Sequence, residues 1–177
     1  IPDDRASILE FDWNDLEALT DLMSKNKDKV AALILTPYHH PAFAPSELPA
    51  EGFWKEIESL CTRYGIQLVL DDVRCGGRLH AGGSHRYFGF TPDLAVYSKA
   101  LGNGYAISAC VGHESLRKPS MEVFLTGSCW NDALAMAAAL KSLELSARDD
   151  VVSGVLEKGA HLCDGLERVS KDRGQTL

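Results

Sequence analysis

The chain has 177 residues, of which 45% are hydrophobic, so it can bury a core and fits one domain with the start of a second. Its formal charge of −7 is spread without blocks of like charge, and no apolar run reaches the length of a membrane span, so we expect neither a nucleic-acid nor a membrane partner. Five cysteines without Cys-x-x-Cys spacing argue against a disulfide framework or zinc site and indicate a cytoplasmic protein.

The first part of the sequence predicts alternating helices and strands. A helix is expected from Asn14, which with Glu17 resembles a capping box. The continuous apolar run over 30–35 predicts a strand covered on both faces. An aromatic stripe over 53–64 predicts an amphipathic helix, and a strand over 66–70 follows it. This order of strand, helix and strand is that of a right-handed crossover and indicates an α/β fold.

Two apolar runs end beside polar residues that can do chemistry. The run 66–70 ends at Asp71, and the run 94–97 is followed by Ser98 and Lys99. Because ligands bind outside the carboxyl ends of parallel strands, these exits can bring an amine and a carboxylate to one crevice. Such a pair suits pyridoxal phosphate, whose aldehyde forms a Schiff base with a lysine and whose ring nitrogen needs an acidic partner. Each residue alone also fits a structural role, Lys99 as a solvated surface residue and Asp71 as a turn or cap residue.

The rest of the sequence predicts one more strand and two helices. Glycines at 102 and 104 indicate a tight turn into a strand over 106–111, which should run antiparallel to its predecessor. The alanine-rich stretch 131–146 is apolar around nearly its whole circumference and predicts a buried helix. A final amphipathic helix is expected over 152–169.

Four blocks between residues 68 and 140 occur in an order that resembles one enzyme family. They are LVLDDVRCGGR, YFGFTPDL, YSKALGNGY and TGSCWNDALAMAAAL. The chain resembles the class III, fold-type I pyridoxal-phosphate aminotransferases, and most of all the glutamate-1-semialdehyde aminomutase branch. The resemblance implies part of the large cofactor-binding domain, an α/β fold with a mostly parallel sheet, helices on both faces and one antiparallel strand. It implies the second half of that domain at 1–147 and the start of the small carboxyl-terminal domain at 148–177.

The resemblance also implies roles for four residues. Lys99 matches the lysine that holds pyridoxal 5'-phosphate as a Schiff base, and Asp71 matches the aspartate that bonds the pyridine nitrogen. Val73 matches an aliphatic residue packed on the ring, although ordinary packing also accounts for it. Ser128 stands where a threonine usually binds the cofactor phosphate of the neighbouring subunit, and it also fits as a helix cap. The implied partners are a small-molecule amine or amino-acid substrate and a second copy in a homodimer.

Three departures from the family pattern lie near the expected pocket. Thr36 replaces a glutamate before Pro37, Gly77 replaces a phenylalanine, and Trp130 lies in a run that is usually small-Gly-Asn-Pro. They leave open the substrate, the choice between aminotransferase and aminomutase, another pyridoxal-phosphate reaction such as racemisation, and a degenerate relative that serves as a binding or dimerisation module. Members of the family are more than twice as long, so we expect an internal piece of a longer protein that is inactive alone.

Overall fold

A computed structural model of the protein describes residues 7–127 and 129–175. The strands are β1 (Ala32–Leu35), β2 (Gln67–Asp71), β3 (Leu94–Tyr97) and β4 (Ala109–Gly112). The helices are α1 (Leu16–Lys25), α2 (Phe53–Tyr64), α3 (Ser84–Phe88), α4 (Arg117–Glu122), α5 (Ala133–Arg148) and α6 (Val151–Asp172). Single turns of 3₁₀ helix lie at Lys99–Leu101 and Glu114–Leu116. No helix in these described ranges is long and apolar enough to cross a membrane.

The four strands form one mixed sheet in the spatial order β1-β2-β3-β4. β1 and β2 are parallel, with Leu35 beside Leu70. β2 and β3 are also parallel, with Asp71 beside Val96. β3 and β4 form the antiparallel pair. The predicted fold class, α/β with a mostly parallel sheet and one antiparallel strand, is confirmed.

The chain separates into two compact units. Unit 1 runs up to Asp72 and also contains Phe88–Val96 and Cys110–Leu125, and unit 2 consists of Val73–Tyr87, Tyr97–Ala109 and the residues from Thr126 onward. Unit 1 therefore holds α1, α2 and most of the sheet, whereas unit 2 holds α5 and α6.

The core of unit 1 is built around α2. Phe53, Ile57 and Leu60 are completely buried, and their spacing of three and four residues places them on one face of the helix. α2 contacts both α1 and β2. Burying a side chain of this size stabilises the fold by about 1.5–3 kcal/mol. Gly65 ends the helix at a φ of 66° and donates its amide to carbonyls of the last turn, so the predicted helix is confirmed.

α1 is capped by a different residue from the one expected. Asp15 is the N-cap, and its carboxylate accepts a hydrogen bond from the Ala18 amide at 2.8 Å. Asn14 forms no capping box with Glu17. Its side chain instead makes three hydrogen bonds of 2.7–3.1 Å to the loop 47–50. The expectation for Asn14 is wrong because a neighbouring carboxylate takes the cap while the amide binds a distant loop.

Two strands also differ from their predicted form. β1 alternates between exposed and half-buried residues, and Ile34 is 63% exposed, so within the described chain one of its faces lies open. β4 begins at Ala109 rather than at residue 106. The reason is that the Ile107 carbonyl accepts a hydrogen bond from the Ser98 hydroxyl at 3.0 Å, which commits residues before 109 to a loop.

The helices of unit 2 are less buried than the sequence indicated. α5 contacts α6, and its buried residues are two alanines one turn apart, Ala135 and Ala139. Leu140 on the same helix is 70% exposed. The expectation that α5 is buried is therefore wrong for the described chain. An apolar circumference indicates which residues a helix can bury, but burial also needs a surface that packs against them. In the described chain, such a surface packs only against the stripe formed by the two alanines.

Candidate active site

The end of β2 places two carboxylates on opposite faces of the sheet. Leu70 and Asp72 are completely buried, whereas Val69 and Asp71 are half-buried. This alternation is the two-residue period of a strand, continued one residue beyond β2. The Asp72 amide extends the ladder by donating to the Val96 carbonyl at 3.0 Å. Asp72 therefore lies on the core side, and Asp71 lies on the other face at the carboxyl end of the strand.

Lys99 has an unusual backbone conformation. It begins the 3₁₀ turn that follows β3, its side chain is exposed, and its φ is +43°, in the left-handed region. The other non-glycine residues with positive φ in the described chain are Asn14, Asp28, Asn103 and Asp150. Asparagine and aspartate tolerate this region, but for other residues it costs about 1–2 kcal/mol. Lys99 is therefore held in a conformation that a lysine disfavours.

The segment 98–107, which we call the Lys99 turn, is closed by internal hydrogen bonds. The Lys99 carbonyl accepts from the Asn103 amide at 3.0 Å. The Ser98 hydroxyl reaches across the turn and donates to the Ile107 carbonyl at 3.0 Å. Each such bond contributes about 0.5–1.5 kcal/mol, so a few of them suffice to offset the backbone cost at Lys99.

Gly102 allows the closest approach within the Lys99 turn. A Cβ at this position would collide with the Tyr105 carbonyl oxygen and would lie 2.6 Å from the Ile107 Cγ2 atom. The φ of Gly102 is −92°, which any residue can adopt. Glycine is therefore required here for space rather than for backbone freedom, a requirement that the sequence pattern of a tight turn does not reveal.

The predicted site residues fall in different parts of the chain. Asp71 belongs to unit 1, whereas Val73, half-buried, and Lys99 belong to unit 2. The sheet register places Asp71 beside Val96, which precedes Lys99 by three residues in the sequence. Ser128 lies outside the described residues. The sequence reasoning missed Ser98 as a structural partner of the turn, and its position directly before the lysine was the one available signal.

Cys61, in α2, carries the clearest electrostatic perturbation in unit 1. Burial, together with the nearby carboxylates of Asp93 and Glu58, raises the pKa of its thiol from an ordinary value near 9 to about 11. The thiol therefore stays protonated at neutral pH. A buried, protonated thiol is not a nucleophile, so Cys61 is a core residue.

The residue types at the strand ends fit pyridoxal phosphate chemically. An exposed primary amine at Lys99 can condense with the aldehyde of the cofactor. A half-buried carboxylate at Asp71 can accept a hydrogen bond from the protonated ring nitrogen. The described chain contains no cluster of three metal-ligating side chains.

Comparison with known proteins identifies the family. The family model described as aminotransferase class-III matches residues 3–176. The chain belongs to the class-III aminotransferases. This family depends on pyridoxal phosphate. The family predicted from the four sequence blocks is therefore confirmed.

Individual relatives of this class-III chain are similar over nearly its whole length. It is 36% identical over 168 residues to a 3-aminobutyryl-CoA aminotransferase of Cloacimonas acidaminovorans, covering 94% of this chain and 41% of that protein. It is 34% identical over 169 residues to a glutamate-1-semialdehyde 2,1-aminomutase of Syntrophobacter fumaroxidans, covering 94% and 39%. Among solved structures, the PLP internal aldimine form of the Sphingopyxis sp. MTA144 FumI protein matches with a TM-score of 0.94 at 33% identity, covering 98% of this chain and 42% of that one. The chain thus spans about 40% of the length of these relatives.

Proposed function

We propose that the complete protein containing this chain is a pyridoxal-phosphate-dependent aminotransferase or aminomutase in which Lys99 forms the Schiff base and Asp71 binds the pyridine nitrogen. The observation that carries this proposal is the left-handed backbone of Lys99. Strained backbone persists only where the surrounding structure enforces it, and it concentrates at functional sites. The left-handed backbone of this lysine therefore supports a functional role for Lys99.

The position of Asp71 in the sheet supports its proposed role. β2 and β3 are parallel neighbours, and Asp71 is the last residue of β2. Its register partner, Val96, lies three residues before Lys99 in the sequence. Ligands of α/β proteins bind outside the carboxyl ends of such strands. Asp72 is completely buried on the core side, which favours Asp71 for this role.

When bound, pyridoxal phosphate supplies an aldehyde that condenses with amines and a ring that accepts electrons. The Lys99 Nζ atom would hold the cofactor in the absence of substrate. The freed Nζ then removes a proton from the substrate α-carbon and returns it at the new position, acting as general base and acid. The Asp71 carboxylate keeps the proton on the ring nitrogen, because a negative charge stabilises the protonated ring.

The substrate class follows from this chemistry as an amine or amino acid. Thr36 follows β1 directly, and its hydroxyl donates to the Tyr38 carbonyl at 2.9 Å. The chain is therefore uncharged at a position where the family usually carries a glutamate, which supports a substrate preference different from that of glutamate-bearing members. An isotopically labelled amino group distinguishes the two reactions: an aminomutase retains the label in the product, whereas an aminotransferase delivers it to a second molecule.

Two further contacts complete the proposed cofactor site. Val73 packs against one face of the pyridine ring, and Ser128 binds the phosphate of the cofactor held by a neighbouring subunit in a homodimer. Residues 1–147 belong to the large domain and 148–177 to the small domain in this proposal. A Ser128→Ala variant that weakens cofactor binding only in the dimeric protein would support the inter-subunit role.

Borohydride reduction of the complete protein tests the assignment of Lys99. After loading with pyridoxal phosphate and reduction, we expect a pyridoxyl group on the peptide that contains Lys99 and none in Lys99→Arg. Lys118, an exposed lysine on α4, gives a matched control, because Lys118→Arg should retain the modification. Modification of a different lysine, or of none, would refute the proposal and favour a degenerate relative that serves as a binding module.

The Asp71→Asn variant tests the second residue. It keeps the shape of the side chain but removes the charge, so trapping at Lys99 should persist. The rate of substrate α-proton exchange should fall by about 10- to 100-fold, the value of a hydrogen bond to a charged group. Loss of trapping together with loss of folding would point instead to a structural role, and the circular dichroism spectrum separates the two.

A further inference from the structure

The Lys99 turn is held from outside by a helix. The Ser142 hydroxyl on α5 donates to the carbonyl of Ala100, the residue after Lys99, at 3.3 Å. α5 contacts the 3₁₀ turn that contains both residues, so this bond lies within a packed contact. Ser142 is half-buried, and all these residues belong to unit 2. One side chain thus links α5 to the residue that follows the strained lysine, 42 positions away in the sequence.

The behaviour of Ser142 differs from that of an ordinary helical serine. In a helix interior, a serine hydroxyl commonly bonds the carbonyl four residues earlier, and alanine is the better helix former. α5 is rich in alanine, and a serine at 142 lowers its helix propensity relative to alanine. A role outside the helix would explain why a serine stands at this position. Its hydroxyl instead binds Ala100 outside the helix.

Backbone hydrogen bonds close the turn around Lys99, and Ser142 adds a side-chain bond from outside it. The Leu101 amide donates to the Ser98 carbonyl at 2.9 Å, and the Gly102 amide donates to the Lys99 carbonyl. The Ser98 hydroxyl joins the two ends of the turn by donating to the Ile107 carbonyl, and the Asn103 amide donates to the Lys99 carbonyl within it. Ser142 acts on the Ala100 carbonyl, which belongs to the peptide between Ala100 and Leu101. Rotation of φ at Lys99 toward ordinary values would move that peptide and break the bond.

We propose that Ser142 is a positioning residue that keeps Lys99 in its left-handed conformation and so directs the amine toward its carbonyl partner. This inference rests on the proposed function, because the amine needs directing only if Lys99 forms the Schiff base. Ser142 does not touch substrate or cofactor. It acts through the backbone of Ala100.

The test compares Ser142→Ala with Ser146→Ala in the complete protein. Ser146 lies one turn further along α5 and is also half-buried, and its side chain makes no hydrogen bond within the described residues. Both changes should raise helix propensity equally, so a purely structural role predicts equal effects. Ser142→Thr retains a hydroxyl and is the conservative rescue.

The first measurement needs no cofactor. Hydrogen exchange of the Asn103 amide, which donates to the Lys99 carbonyl, should become about two- to tenfold faster in Ser142→Ala, because one hydrogen bond of the turn is lost. Ser146→Ala should leave it unchanged, and Ser142→Thr should restore it. Equal exchange in both alanine variants would overturn the inference.

The second measurement is the rate at which borohydride traps pyridoxal phosphate on Lys99. We expect it to fall by about two- to tenfold in Ser142→Ala, with no loss of thermal stability, and to remain unchanged in Ser146→Ala. If the wild-type protein traps the cofactor and Ser142→Ala traps it equally fast, the positioning role is wrong while the proposed function stands. If the wild-type protein traps nothing on Lys99, the proposed function fails and the positioning role fails with it.

Discussion

α2 and α5 both carry large apolar side chains, yet only α2 buries them. α2 buries Phe53, Ile57 and Leu60 completely within unit 1. α5, in unit 2, buries two alanines and leaves Leu140 70% exposed. α2 is amphipathic and finds α1 and β2 opposite its apolar stripe, whereas α5 is apolar nearly all round and finds a partner on one narrow stripe.

The difference shows that a helix sequence and the burial of that helix are separate properties. Periodicity decides where a helix forms and which face is apolar, because both are local. Burial depends on a surface supplied by other segments. The described residues supply that surface to α2 and only in part to α5, so the two units should respond differently to the same kind of substitution.

The largest expected contrast is between Ile57→Ala and Leu140→Ala. Ile57→Ala should reduce the free energy of unfolding by about 2–5 kcal/mol, because it removes buried methyl groups and leaves a cavity. Leu140→Ala should change it by less than about 0.5 kcal/mol, because an exposed side chain loses little on truncation. Urea denaturation of the 177-residue chain measures both values. A cost above 2 kcal/mol for Leu140→Ala would mean that α5 is covered as well as α2.

The pH dependence of stability gives a second contrast, between a buried and an exposed thiol. The pKa of Cys61 in α2 is raised from about 9 to about 11. Between these values the unfolded chain loses the proton and the folded chain keeps it, so the folded state becomes less stable as pH rises, by up to about 1.4 kcal/mol per pH unit. Below pH 9 both states are protonated and the contribution is constant.

Substitution separates this effect from other groups that titrate in the same range. Cys61→Ala should flatten the fall in stability between pH 9 and pH 11, measured by urea denaturation at several pH values. Cys163, which is exposed on α6, provides the matched change, and Cys163→Ala should leave the slope as it is. Equal slopes in both variants would show that Cys61 is not the group responsible.

A third contrast concerns backbone strain rather than burial. Lys99→Asn should stabilise the chain by about 1 kcal/mol relative to Lys99→Ala, because asparagine tolerates a left-handed φ and alanine does not. Both changes remove the same charge, so the comparison isolates the backbone. Thermal or urea denaturation measures the difference, and both variants should lose trapping of the cofactor. Equal stabilities would argue that Lys99 relaxes freely, against the enforced conformation on which its proposed role depends.

Much of the fold was predictable because its determinants are local. The apolar stripe of α2 and the glycine that ends it are read within a dozen residues, and so are the strand ends at Asp71 and before Lys99. The order of strand, helix and strand then fixes the parallel pairing of β1 and β2. These features required no knowledge of distant contacts.

The remaining features depend on contacts between distant segments. Asn14 and Asp15 are equally good caps by sequence, and the choice was made by a loop more than thirty residues away. The late start of β4 follows from a hydroxyl at Ser98, and the left-handed φ of Lys99 has no sequence signature in a lysine. Ser142 gives no signal within an alanine-rich helix. The residues that shape the candidate site were therefore the hardest to predict.

The smallest expected effect is one where the two units should agree. Lys25–Asp21 on α1 and Lys141–Glu144 on α5 are ion pairs of 2.6 and 2.7 Å, and all four side chains are more than half exposed. Double-mutant cycles should give coupling energies of about 0.2–0.5 kcal/mol for each pair, and added salt should weaken both. Solvent screens such pairs regardless of how well the helix beneath them is packed. A coupling above 1 kcal/mol on α5 alone would mean that the outer surface of α5 is less exposed to water than that of α1. The contrast between the two units would then come from a partner surface that α5 lacks in the described chain, and not from the packing of the helix itself.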